Sequence, residues 1–283
     1  MKKFIFSLFS IFILIALPLR AIELDDSMLK DISSEISNNL EPPTIVGPDD
    51  RKEITGIATG PEMAVVVIGS ESSECSGAMV APNIVLTSAH CLVDEKGNYE
   101  KGLTIYATGL PPEAAYGNFY PYAKAKALWV PNQYRKKAII DNHILNQNRE
   151  KYDYGFIILN DNLGNKTGLL GLKVQSDEEL NKANITVIGR SGDKNFYSLW
   201  KSPGKIGKIK KYYIYYNADV IEGNSGGPVF KEDDPKNIIA LHKIEFTFYN
   251  SIRHYPNGGL RIRQEIIDAL KNLEKEISET NQK

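Results

Sequence analysis

The sequence predicts an all-β fold. From Ile45 onward the chain is a series of short runs rich in β-branched and aromatic residues, with turn residues between them and no helical pattern intervening until Arg261. On the residues alone, a sandwich and a barrel both satisfy this pattern. The chain has 283 residues, a formal net charge of -1 and 42% apolar residues. Such balance gives no sign of a nucleic-acid binder, a disordered tail or a collagen-like repeat, and no internal repeat is evident.

Residues 1–21 read as a signal peptide, with Lys2 and Lys3, an apolar run Phe4–Leu19, then Arg20-Ala21. Leu19 stands where a small residue is preferred, so an uncleaved membrane anchor is the alternative. Either way the remainder is exported, to a secreted or periplasmic location. Residues 22–44 are polar and acidic, with Met28, Leu29, Ile32, Ile36 and Leu40 at helical spacing before Glu41-Pro42-Pro43. The proline pair stops a helix and leaves extended backbone behind it, so this stretch reads as a propeptide or linker.

The first strands are expected at Ala64–Gly69, Ser76–Val80, Asn83–Leu86, Leu103–Tyr106 and Phe156–Leu159. A second set is expected at Ile185–Gly189, Ile206–Tyr216, Val229-Phe230 and Ile238–Leu241, after a polar, Gly-containing crossover at Asn162–Gly168. Ile266, Ile267, Leu270, Leu273 and Ile277 then recur at helix spacing and predict a terminal helix over Arg261–Ile277. Both cysteines, Cys75 and Cys91, lie in the exported part, which suggests one disulfide between them.

Three segments carry chemistry. Gly223-Asn224-Ser225-Gly226-Gly227-Pro228 offers a serine amid glycines that let backbone N–H groups approach a carbonyl. A serine hydroxyl needs a base, and Val85-Leu86-Thr87-Ser88-Ala89-His90-Cys91 places a histidine after an apolar run. Tyr152-Asp153-Tyr154-Gly155-Phe156-Ile157-Ile158-Leu159 places an aspartate at the mouth of a hydrophobic strand. The order His90, Asp153, Ser225 is one in which hydrolytic triads occur. A histidine base must be neutral, so activity is expected to rise with pH through the imidazole range, about 6.5.

With these motifs the chain, from Ile45 to its end, resembles the chymotrypsin-fold (trypsin-like) serine proteases, and within them the bacterial glutamyl endopeptidases. Ile45-Val46-Gly47-Pro48-Asp49-Asp50-Arg51, Cys75-Ser76-Gly77 and Ala240-Leu241-His242 carry the resemblance beside the triad segments. It implies two six-stranded antiparallel β-barrels with the active site between them and a C-terminal α-helix packed on the second barrel. Residues 45–165 would form the barrel carrying His90 and Asp153, and 166–283 the barrel carrying Ser225. It also implies an oxyanion hole from Gly223 and Ser225, a Cys75–Cys91 bridge bracing the histidine loop, and a mature start near Ile45. Digestive relatives pair the new amine with an aspartate before the nucleophile, whereas this chain has Asn224. In the glutamyl branch that amine instead helps to form the primary pocket.

The resemblance makes His242 the pocket residue that meets a substrate carboxylate. Val220 replaces the usual threonine hydroxyl, Glu222 would sit at the pocket mouth, and Lys243 could offset it electrostatically. Asp219 supports a rival specificity for Lys or Arg, being six residues before Ser225 where trypsin-like enzymes hold an aspartate. His242 and the N-terminal motif favour glutamate.

His143 and His254 lack metal-ligand spacing, so no metal and no cofactor is expected. Lys205, Lys208, Lys210 and Lys211 beside Tyr212, Tyr213, Tyr215 and Tyr216 read as strand faces with aromatic packing rather than a nucleic-acid surface. Asn165-Lys166-Thr167 and Asn184-Ile185-Thr186 match glycan acceptor sequences. The expected partners are protein or peptide substrates, with no nucleic acid and, once the signal is removed, no membrane, for a monomer. A second reading, a secreted binding protein or toxin on a protease scaffold, stays open because a fold does not determine a substrate.

Overall fold

The computed structural model describes residues 45–55, 58–70, 74–94, 96–112, 119–135, 147–245 and 255–281. The expected signal peptide 1–21, the expected propeptide 22–44, His143 and His254 lie outside the described residues.

Among the described residues, fourteen strands are formed. They are β1 (Lys52–Glu53), β2 (Val65–Gly69), β3 (Glu74–Ala81), β4 (Ile84–Thr87), β5 (Thr104–Tyr106), β6 (Tyr122–Trp129) and β7 (Gly155–Leu159). After them come β8 (Gly171–Leu172), β9 (Asn184–Gly189), β10 (Trp200–Ile209), β11 (Tyr213–Tyr216), β12 (Pro228–Lys231), β13 (Asp234–Glu245) and β14 (Asn257–Arg261). The first barrel closes in the order β2-β3-β4-β7-β6-β5. The second runs β10-β11-β14-β13-β12-β9 and closes through the antiparallel pairing of β9 with β10, while β1 and β8 attach to its outside. The two six-stranded barrels and the terminal helix expected from the sequence are therefore present.

Sequence chemistry accounts for the strands that position the site. Val65-Val66-Val67-Ile68 is buried throughout and pairs with β3 on one side and β5 on the other. β4 is buried throughout too, between β3 and β7, because its β-branched residues fill the barrel interior. The expected run Ile206–Tyr216 is a hairpin, broken between β10 and β11 at Lys210-Lys211-Tyr212. Tyr216 on it is fully buried, as aromatic packing requires.

The chain's two ends cross between barrels. β1 pairs with β10, so the N-terminal segment runs against the second barrel before the chain builds the first. The helix Gln264–Asn281 leaves β14 of the second barrel and lays Asp268, Ala269, Asn272 and Leu273 beside Trp129 of β6. Its Ile266, Leu270 and Leu273 join the same apolar cluster as Phe156, Ile157 and Leu159 of β7. The helix thus reaches the first barrel, and the apolar cluster it joins also holds Ile238, Leu241 and Leu260 of the second. Arg263 fixes that direction by donating from Nη2 to the Lys151 carbonyl at 2.6 Å, just before Asp153. The second barrel keeps a separate interior of Ile185, Val187, Ile206, Ile214, Tyr216, Val220, Val229 and Ile239.

Cys75 and Cys91 are bonded to each other across 16 residues and both are buried. Replacing both by alanine is expected to lower stability by about 3 kcal/mol, the chain-entropy value for a loop of this size. Guanidinium unfolding of the oxidised and variant proteins checks this, with an unchanged midpoint contradicting it.

Candidate active site

His90 sits in a short 3-10 turn, Ala89–Cys91, one residue after β4 ends. The disulfide holds the last residue of that turn against β3. Asp153 precedes β7, which pairs with β4, so the barrel's own register brings the two residues together. Asp153 is only 1% exposed and uses both carboxylate oxygens on His90. Oδ1 accepts the His90 backbone N–H at 2.9 Å, and Oδ2 lies 2.8 Å from the ring Nδ1. A carboxylate on Nδ1 orients the imidazole and leaves Nε2 for other work.

The segment Gly223–Gly227 is pinned from three sides. Ser76 of β3 donates its Oγ to the Gly223 carbonyl at 2.8 Å and its N–H to the Ser225 carbonyl at 2.9 Å. Gly226 donates to the His242 carbonyl, and His242 returns a bond to the Gly227 carbonyl, both at 2.8 Å. Gly226 has φ +77, and a Cβ there would stand 2.0 Å from Thr87 Oγ1 and 2.7 Å from Ser88 N. Only glycine allows the serine loop to rest on the turn that carries His90. Gly223 has φ +97, and the carbonyl before it, that of Glu222, accepts the Gly192 N–H at 2.6 Å. In a trans peptide the C=O and N–H point oppositely, so this bond aims the Gly223 N–H away from Gly192. Ser225 Oγ lies 3.5 Å from the Lys243 carbonyl.

His242 is buried, and Tyr216 Oη lies 2.7 Å from its Nδ1. Burial pushes the Tyr216 phenol up, so it keeps its proton and donates to Nδ1. Burial, then the neighbouring His90, pushes His242 down to about 3. The ring is therefore neutral and carries its proton on Nε2, which has no hydrogen bond from the described residues. Val220 is fully buried in the apolar interior of the second barrel.

Asp219 is 1% exposed and faces the N-terminal segment. Its Oδ1 accepts the Val46 N–H at 2.7 Å and its Oδ2 the Asp50 N–H at 3.1 Å. Ile45, half-buried, adjoins this contact. Arg51, on the same segment, bridges Asp49 and Asp193 and donates to Ser191 Oγ at 3.0 Å. Ser191 Oγ in turn accepts from Asn224 Nδ2 at 3.1 Å. The N-terminal segment thus reaches the residue before the nucleophile from the Arg51 guanidinium, through the neutral side chains of Ser191 and Asn224. The hydrogen bond from Arg51 holds the Asp49 carboxyl down at about 2.

Lys243 does not offset Glu222, as the sequence left open. Its side chain is 3% exposed and its Nζ meets Glu150 and, at 3.2 Å, Asp153 Oδ2. Sequence reasoning also passed over Ser76, Gly192, Tyr216, Ser191 and Glu150. Cys75-Ser76-Gly77 was visible as a motif, but the partners of Ser76 lie about 114 and 147 residues away and no local pattern encodes them.

The sequence profile of the trypsin-like peptidase domain matches residues 75–241. A glutamyl endopeptidase of Bacillus licheniformis is 28% identical over 237 residues, covering 81% of this chain and 68% of that protein. An extracellular metalloprotease of Bacillus subtilis is 28% identical over 219 residues, covering 75% of this chain and 66% of that protein. The chain thus spans about two thirds of the length of these two relatives. A solved structure of a Glu endopeptidase in complex with MPD superposes with a TM-score of 0.66 at 23% identity, over 82% of this chain and 99% of that one. Among the described residues, the His, Cys, Asp or Glu atoms close enough to share an ion are those of Cys75, His90 and Cys91, and the two sulfurs are bonded to each other.

The depressed His242 gives a pH dependence of stability. Between pH 6.5 and 3 the unfolded chain binds a proton that the folded chain refuses. Its contribution is full above about pH 6.5 and is lost as pH falls towards 3. His242→Gln, which still accepts from Tyr216, is expected to flatten the fall in the urea midpoint between pH 6.5 and 4. An unchanged slope would refute the assignment of a buried neutral ring.

Proposed function

The chain belongs to the trypsin-like peptidase domain family and is a serine endopeptidase, and we propose that it cleaves after glutamate through an acyl-enzyme. The observation that carries the catalytic reading is the buried Asp153 carboxylate on His90 Nδ1 and N–H, with the Ser225 loop seated on the His90 turn. Ser225 Oγ attacks the scissile carbonyl while His90 Nε2 takes its proton. The carbonyl oxygen, now negative, is met by the N–H groups of Gly223 and Ser225. Collapse breaks the C–N bond, His90 hands its proton to the leaving amine, and water then hydrolyses the ester by the same steps. Losing one oxyanion donor typically costs about 2.7–4 kcal/mol of barrier, so the bond from Gly192 that orients the Gly223 peptide matters to rate.

Preference for glutamate rests on His242. A neutral imidazole with its proton on Nε2 is a donor to a carboxylate, and Tyr216 maintains that tautomer. Asp219 argues for glutamate by default. Its oxygens accept from Val46 and Asp50, so a Lys or Arg side chain would have to displace the N-terminal segment. The 28% identity to a named glutamyl endopeptidase supports the same reading. With it go removal of residues 1–21, release of a mature chain near Ile45, and a secreted or periplasmic location.

Cleavage of peptides differing only at the residue before the bond tests this. The processed protein is expected to cut after Glu, and Ser225→Ala to lose that activity together with labelling by a serine-directed phosphonate. Ser225-dependent cleavage after Lys or Arg would reverse the specificity, and no labelling would favour a binding role on a protease scaffold. Tyr216→Phe removes one buried hydrogen bond to His242 and is expected to lower kcat/KM for Glu peptides about tenfold. Gln peptides should change less, and an equal loss on both would separate Tyr216 from specificity.

A further inference from the structure

Lys243 touches both ends of the catalytic constellation. Its carbonyl lies 3.5 Å from Ser225 Oγ, while its ammonium lies 3.2 Å from Asp153 Oδ2. Oδ2 is the oxygen that also meets His90 Nδ1. A lysine there competes directly with the imidazolium that must form during acylation. A cation on the triad carboxylate weakens that carboxylate's hold on a second cation. Alone, it would work against the reaction.

It is not alone. Glu150, three residues before Asp153, meets the same ammonium from the other side and is itself largely buried. We propose that Glu150 and Lys243 are positioning residues for the triad: the ammonium locks Asp153 in place, and Glu150 returns the charge that the ammonium removes. Asp153, Glu150 and Lys243 together then present one negative charge to His90, as an isolated aspartate would. The proposal rests on the triad reading above and adds to it a charge balance that His90 senses.

The other groups around this cluster do not provide that balance. Tyr134 and Tyr213 are pushed up, chiefly by burial and next by Asp153, and stay neutral. His242 is neutral for the reason already given. Arg149 stacks its guanidinium 4.1 Å from the Tyr134 ring and donates to the Tyr134 carbonyl, and Arg263 faces Tyr212 and binds Glu265. Burial, then Arg149, pushes Lys243 towards its neutral form, and the two carboxylates against it oppose that.

The test is the acid limb of kcat/KM against pH, read on Glu peptides for the processed protein and three variants. Glu150→Gln leaves Lys243 facing Asp153 with no net charge, and the limb is expected to move down by about one pH unit, with kcat reduced. Lys243→Met leaves two carboxylates, and the limb is expected to move up by a similar amount. Glu150→Gln combined with Lys243→Ser restores a single negative charge, and should bring the limb back to within about 0.3 pH units of the parent while recovering most of kcat. Limbs unmoved in both single variants, or a double variant whose limb stays about one pH unit away from the parent, would overturn the proposal and leave Lys243 a packing residue. NMR titration of the His90 ring in the Ser225→Ala background reads the same shifts without turnover. A parent that fails to cleave would therefore sink the triad reading while this inference is still decided by the ring. Thermal unfolding of each variant separates a loss of fold from a shift in titration.

Discussion

A carboxylate with almost no access to water must be surrounded by donors, and in this protein that carboxylate is Asp153. It takes the His90 N–H, the His90 ring and the Lys243 ammonium. The donors arrive on two separate pieces of chain, the turn after β4 and the end of β13, while the carboxylate itself stands at the start of β7. Satisfying one buried charge therefore fixes how the first barrel meets the second. The same β13 receives the Gly226 N–H and returns one to Gly227, so the serine loop and the aspartate's partner move as one body.

The all-β class and the terminal helix were legible because burial leaves a period in the sequence. Val65–Ile68 is apolar in an unbroken run, Ile185, Val187 and Ile188 are apolar around Thr186, and Ile266, Leu270 and Leu273 keep helical spacing. β6 was passed over because Tyr122-Ala123-Lys124-Ala125-Lys126-Ala127 is poor in β-formers, and its mostly exposed pattern carries no apolar signal. β14 opens with Asn257-Gly258-Gly259, which reads as a turn until its pairing with β11 and β13 is known. Which barrel the helix would cover was not written in its periodicity. That period marks a buried face but not the surface it meets, which Trp129 and Lys151 decide from distant sequence.

The three site motifs were readable because glycine, histidine and aspartate each carried a local signature. The residues that tune them carried none. Ser76 acts through Gly223 and Arg190, Tyr216 through His242, and Glu150 through Lys243, and all are contacts across strands or barrels. Asp219 has a use that its position alone does not show. Its place before Ser225 matches a pocket aspartate, yet backbone N–H groups of Val46 and Asp50 occupy it, a use that no single-residue pattern distinguishes.

The chain's two ends trade places: the segment before the first barrel is fastened to the second, and the helix after the second lies on the first. Each barrel therefore carries a strap belonging to its neighbour. Hinge opening of the cleft would have to peel β1 from β10 or lift the helix from Trp129, so substrate access falls to side chains and loops rather than to relative motion of the halves. A gene cut at the crossover would yield two fragments, each lacking the strap that its barrel takes from the other.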